Sequence, residues 1–232
     1  MPPLSLAEDD AMNIPYRLLP DVWIWIAAVI YALMLLWCLW RADWKRLKES
    51  YQLHVYLGTC VTLLVLWTIR TPILPGLEYH YLGATLLTLM FGVPLAGVGM
   101  SLVLLGGVLN GAADWQSYSF NALVMGFVPI AVSHALRRAA ERWLPPNFFV
   151  YVFVCGYFGA AVALLGMGLA ASALLWFGDV YSLEQLADIY FPLVPLLVVP
   201  EAFITGILIA LMVVFRPEWV ASFDDKRYLQ GK

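Results

Sequence analysis

Charge is what this sequence has least of. Asp, Glu, Lys and Arg make up 12% of its 232 residues, while hydrophobic residues make up 62%. A water-soluble domain cannot hide that much apolar surface, whereas a bilayer removes the need to hide it. The net charge of -3 gives no reason to expect nucleic-acid binding. Cysteine is also scarce. Cys38, Cys60 and Cys155 each sit inside an apolar run, are odd in number, and are spaced for neither a disulfide framework nor a zinc site, so they read as small packing residues. There is no Gly-rich phosphate loop ending in Lys-Ser/Thr, no His-Glu-x-x-His and no Gly-x-Ser-x-Gly. No enzyme is expected, and any ATP-driven step needs another subunit. The start of the chain carries Glu8, Asp9 and Asp10 where a signal peptide has its basic region, so none is expected.

What the sequence does have is long uncharged runs. A hydrocarbon core of about 30 Å takes roughly 20 apolar residues in a helix. Val22–Trp40 and Leu53–Ile69 supply the first two spans. From Tyr79 to Ala113 the only side chain that titrates near neutral pH is His80, and Gly92-Val93-Pro94 interrupts the run. Two short helices hinged at the proline are expected there, because Pro disfavours helix in the residue before it. Trp115–Ala135, Phe148–Gly178 (glycine-rich, tilted or kinked) and Phe191–Phe215 complete the set. The fold class is therefore all-α: a polytopic membrane bundle of about seven helices. It has an N-terminal segment 1–21, a membrane domain 22–215 and a tail 216–232.

Basic residues mark the cytoplasmic side of a membrane protein. Arg41, Lys45, Arg46 and Lys48 fall in one loop, Arg137, Arg138 and Arg142 in a second, and Arg216, Lys226, Arg227 and Lys232 in the tail, leaving only Arg17 and Arg70. Seven spans put all three segments on one side. The opposite loops carry Glu78, Asp114, Asp179, Glu184 and Asp188. The N-terminus is expected outside and the C-terminus in the cytoplasm. Small residues recur at helix-packing spacing, at Gly97/Ser101, Gly107/Gly111, Gly156/Ala160 and Gly159/Ala163. Such pairs suit close packing within the chain or docking against a partner membrane subunit.

Few side chains are equipped for chemistry. His54 and His134 lie near the cytoplasmic ends of their spans and read as interfacial or packing residues. His80 begins the third span at the outer face, where a histidine is either structural or a ligand. Glu201 is the only acid deep inside a span, with Pro192, Pro195 and Pro200 before it. A carboxylate there must be paired, protonated or facing a polar cavity. It is either a functional group or a structural acid bonded to backbone amides of a broken helix. Asn110, Asp114, Gln116 and Asn121 form an outer polar patch, either a substrate vestibule or a solvated loop with capping groups. Met90, Met100 and Met125 offer soft thioethers, although packing is their ordinary use.

Four fragments together resemble a known family. Met12-Asn13-Ile14-Pro15 resembles a Met-His-Ile-Pro opening. Pro75-Gly76 with His80-Tyr81-Leu82-Gly83-Ala84 resembles Pro-Gly followed by His-Leu-Leu-Gly. Asn121-Ala122-Leu123-Val124-Met125-Gly126 is similar to Asn-x-Leu-Asn-Met-Gly. Glu201-Ala202-Phe203-Ile204-Thr205-Gly206, closing with Arg216-Pro217-Glu218, resembles Glu-Gly-Leu-Ile-Thr-Gly and a terminal Arg-Pro-Glu. The family is the cobalt/nickel substrate-binding permease component of energy-coupling factor ABC transporters.

The resemblance implies a substrate-capture subunit in a bacterial inner membrane. A transmembrane coupling subunit and cytoplasmic ATPases would be its partners, and a Ni or Co ion its substrate, with no tightly bound cofactor. It also implies a metal site of nitrogen donors on the outer face: the N-terminal amine, the next amide, the second-position His and the His of His-Leu-Leu-Gly. All-nitrogen tetragonal sets suit Ni(II). Carried over, the site residues are His80, Met12 and Asn13, with Asp114, Asn121 and Glu201 as vestibule or structural polar groups. The sequence departs from the family in two places, since Asn13 replaces the histidine and Met12 follows eleven further residues. A non-transporting scaffold, assembly factor or sensor that has lost the metal site is the alternative.

Overall fold

The computed structural model describes residues 14–48, 50–224 and 228. Helices dominate. Among the described residues, five are long and apolar enough to cross a membrane: α1 (Asp21–Arg41), α3 (Ala84–Leu109), α4 (Tyr118–Trp143), α5 (Phe148–Phe177) and α6 (Leu183–Phe215). The shorter apolar α2 (Ser50–Trp67) follows α1. α1 is peripheral: Trp25, Val29, Leu33, Leu36 and Trp40 all face outward, as lipid-contacting residues do. α3 is central, with Leu87, Leu89, Leu95, Ala96 and Leu104 at 0–1% exposure.

Two features depart from a plain helical bundle. The first is a β-hairpin, β1 (Arg70–Leu74) with β2 (Leu77–His80), paired antiparallel so that Arg70 faces His80 and Pro72 faces Glu78. Its turn uses Gly76 at φ +81, a conformation that costs glycine little. Tyr79 and His80 therefore belong to a strand, and α3 begins only at Ala84, after a second left-handed glycine, Gly83 at φ +70.

The second is the break in α3. Gly92 sits at φ +79, ψ 166, outside helical space, two residues before Pro94. A methyl placed on Gly99 would touch Leu87 Cδ1 at 3.4 Å. Twelve residues of straight helix would set those positions about 18 Å apart. The two halves, Ala84 to Phe91 and Val93 to Leu109, thus lie side by side. The sequence expectation of two short helices holds, with the hinge at the glycine. Wide π turns at Ala122–Phe127, Tyr151–Phe158 and Leu186–Tyr190 interrupt α4, α5 and α6, and such turns are frequent near functional sites.

Long-range bonds group the loops at two ends. At one end Tyr16 N–H donates to Asp114 Oδ2 (3.2 Å) and Tyr181 O–H to the Pro75 carbonyl (2.8 Å). At the other, Arg46 Nη2 and Gln52 Nε2 both donate to the Glu218 carbonyl (2.9 and 3.0 Å).

Candidate functional site

The hairpin turns His80 into the protein, where the residue is 3% exposed. Its ring packs against Trp67 at 4.4 Å between centroids. Nδ1 lies 3.4 Å from the Tyr81 carbonyl, which can only accept, and this contact favours the tautomer with the proton on Nδ1 and the lone pair on Nε2. Nε2 is buried with no hydrogen-bond partner. Burial pushes the imidazole down to about 4, helped by the positive charge of Arg70 and opposed by the Tyr81 bond, so the ring is neutral at neutral pH. A buried, neutral, unpartnered imidazole nitrogen is a Lewis base held ready, at the cost of its own desolvation. His80 lines a cavity of about 250 Å³, walled by the hairpin, by Met167 and Gly168 of α5, and by Tyr190 and Val194 of α6.

Glu201 reaches the same loop from α6. Leu82 N–H donates to Oε2 (2.7 Å) and Gly83 N–H to Oε1 (2.9 Å), with the residue 1% exposed. Of its two expected readings, a functional group or an acid bonded to backbone amides, the structure shows the amide bonds. The amides belong to the start of α3, not to the proline-rich entry of Glu201's own helix. The carboxylate satisfies two N–H groups that no helical carbonyl can reach, and anions favour that end of a helix. Tyr81 O–H shares a 2.9 Å bond with Thr205 Oγ1 beside it.

The polar patch has a specific employment. Ile14 N–H donates to Asn121 Oδ1 and Asn121 Nδ2 donates to the Ile14 carbonyl, both at 3.1 Å. Asn121 is 0% and Ile14 1% exposed. With Asp114 holding Tyr16, these side chains clasp the segment that begins at Ile14, and its Cα lies 3.4 Å from where a Cβ on Gly76 would stand. The segment is thus seated against the hairpin turn. Met12 and Asn13 lie outside the described residues.

The remaining sulfur groups pack. Cys38, Cys60 and Cys155 are free and buried, and Met90, Met100 and Met125 are core residues. Among the described residues, no three His, Cys, Asp or Glu side chains cluster as a metal centre. The cavity walls from α5 and α6 were not legible in the sequence, because Met167 and Tyr190 carry no motif and meet His80 only through the tertiary fold.

A multi-pass helical membrane protein with a buried, unpartnered imidazole nitrogen in the wall of an internal cavity is the class that the fold and site define. The chain belongs to the family of the cobalt uptake substrate-specific transmembrane region, whose model matches residues 13–219. Two solved structures share the fold. One is a truncated transition metal transporter, at TM-score 0.72 and 16% identity, covering 87% of this chain and 98% of that one. The other is a transition metal transporter at TM-score 0.72 and 19% identity, covering 86% and 92%. No curated protein matches the chain. The chain is a multi-pass membrane component of metal uptake, and its family is one of transporter components, not enzymes.

Proposed function

We propose that this chain is the substrate-capture subunit of an energy-coupling factor type transporter, taking a Co- or Ni-like cation from outside the membrane. His80 is the protein's principal ligand, with Met12 and Asn13 as the further candidate ligands. The observation that carries this is the buried Nε2 of His80 without a hydrogen-bond partner. The clasp of Asn121 on Ile14 supports it by seating the N-terminal segment against the same hairpin. A transmembrane coupling subunit and cytoplasmic ATPases would drive release into the cell.

The fold-back of α3 at Gly92 fits a bacterial inner-membrane topology with segment 1–21 outside and tail 216–232 inside. The grouping of loops supports it: the basic loop 41–50 bonds the tail, whereas the acidic loop at Asp114 bonds the N-terminal segment. A periplasm-dependent reporter fused after Lys232 is expected to be silent, and activity there would reverse the orientation and the outward-facing site.

The second reading, a scaffold or sensor without a metal, is favoured by Asn13 in place of histidine. Metal content of the purified protein separates the two. Co(II) or Ni(II) bound by wild type and lost in His80→Ala supports capture, and tight binding that survives His80→Ala refutes this site. A wild type empty of metal favours the scaffold.

A further inference from the structure

Resting on the assignment of His80 as the capture ligand, we infer that Glu78 is a second protein donor to the same cation, and that Arg70 is the resting counter-ion which the cation displaces. Residues two apart on a strand share a face, so Glu78 and His80 point the same way from β2. The register puts Arg70 across from His80 and Pro72 across from Glu78, which sets Arg70 on that face too, diagonal to Glu78. Arg70 Nη1 and Glu78 Oε2 are 3.6 Å apart, with the two side chains 22% and 4% exposed. Glu78 and His80 line the same cavity of about 250 Å³, and among the described residues Glu78 is the one carboxylate in its wall.

The chemistry requires such a group. His80 is neutral, and a dication brought into an apolar cavity with only neutral donors has no compensation for its lost hydration. Glu78 supplies the negative charge at no cost in new burial, because it is already desolvated and held against Arg70. The exchange is ionic, with no bond made or broken apart from coordination. The cation takes over the carboxylate, and the guanidinium, on the partly exposed strand β1, turns toward water. An imidazole and a carboxylate suit a borderline divalent cation that keeps part of its water shell, such as Co(II), Ni(II) or Zn(II), and do not suit Cu(I). The N/O pair also makes up for the nitrogen that Asn13 fails to supply.

The test is calorimetric titration of Co(II) into the full chain in detergent, comparing wild type with His80→Ala, Glu78→Gln, Arg70→Gln and the double variant Arg70→Gln/Glu78→Gln. Glu78→Gln is expected to weaken Co(II) binding by roughly 10–100-fold, the size of effect that altering a metal site's supporting shell produces or exceeds. Arg70→Gln is expected to tighten it, because the competing cation is gone. A purely structural ion pair gives the opposite sign, with Arg70→Gln weakening binding in step with Glu78→Gln. If Glu78→Gln alone does not fold with Arg70 left unmatched, the double variant is compared with Arg70→Gln, and the same loss is expected. Unchanged affinity on losing Glu78, with binding abolished by His80→Ala, overturns this inference and leaves the capture function standing. Wild-type affinity in His80→Ala instead overturns the capture function itself.

Discussion

Replacing Glu201 tests how the loop after His80 is held. Its carboxylate accepts from Leu82 N–H at 2.7 Å and Gly83 N–H at 2.9 Å, in a site closed to water. Each buried N–H left without an acceptor costs about 1–3 kcal/mol. Glu201→Gln keeps one acceptor oxygen and turns an amide NH₂ toward the other N–H, so one donor is lost. Glu201→Leu removes both acceptors, for a total of about 2–6 kcal/mol. The expected order of thermal stability in detergent is wild type, then Gln, then Leu, with Gln near the midpoint. Metal affinity should fall in the same order, since Leu82 follows His80 by two residues. Two results would refute the reasoning. One is equal destabilisation by Gln and Leu. The other is a Gln variant of wild-type stability and membrane level that takes up no metal, which would make the charge itself the function.

Two further expectations concern packing and the clasp. A Cβ on Gly206 would stand 2.2–2.4 Å from three ring atoms of Tyr157, so Gly206→Ala should lower stability by about 1–3 kcal/mol, with partial recovery on adding Tyr157→Ala; the melting temperatures decide it. Asn121→Ala removes both bonds to Ile14 and leaves a buried N–H and C=O unmatched, so protease cleavage near residue 14 should quicken and Co(II) affinity fall, while unchanged protection would mean that packing alone seats the segment.

How much of this was legible in the sequence depends on the range of the interaction. Hydropathy is a local signal, and it found the apolar helices and located the break in α3 to within two residues. The hairpin escaped it, because Arg70–His80 is short and half-buried and holds a proline, and only the Pro75-Gly76 turn signalled it. Among the small-residue pairs, Gly97 packs against Cys38 and Phe127, Gly156 against Gly206, and Gly159 against Thr85, all inside the chain. Gly111 faces open space at φ +73. His80 was legible as a candidate from its type and place. That its Nε2 would have no partner was not, since that depends on residues from α5 and α6. Glu201 showed its cost in the sequence, but its partners lie more than 110 residues away.

The first half of α3 shows why those distant partners are needed. A helix from Ala84 to Phe91 is too short to stand alone in water, and in lipid every unpaired backbone group at its ends adds several kcal/mol. Its outer end is met by Glu201. At its inner end Pro94 brings no N–H to the Met90 carbonyl, and the turn at Gly92 leads the chain off the axis. The tail fills that gap: Ala221 N–H donates to Met90 O (2.9 Å), while Ser222 N–H and Oγ–H both reach Leu89 O (3.2 and 2.7 Å). Tyr151 O–H shares a 2.6 Å bond with the same Ser222 hydroxyl, and its ring packs on Phe223 and Tyr228. A rod of eight residues, about 12 Å long, is therefore fixed at both ends by chain more than a hundred residues away. One end adjoins the loop that carries His80 and the other adjoins the tail. The bonds from Ala221 and Ser222 thus satisfy carbonyls at the inner end of the rod, as Glu201 satisfies amides at its outer end.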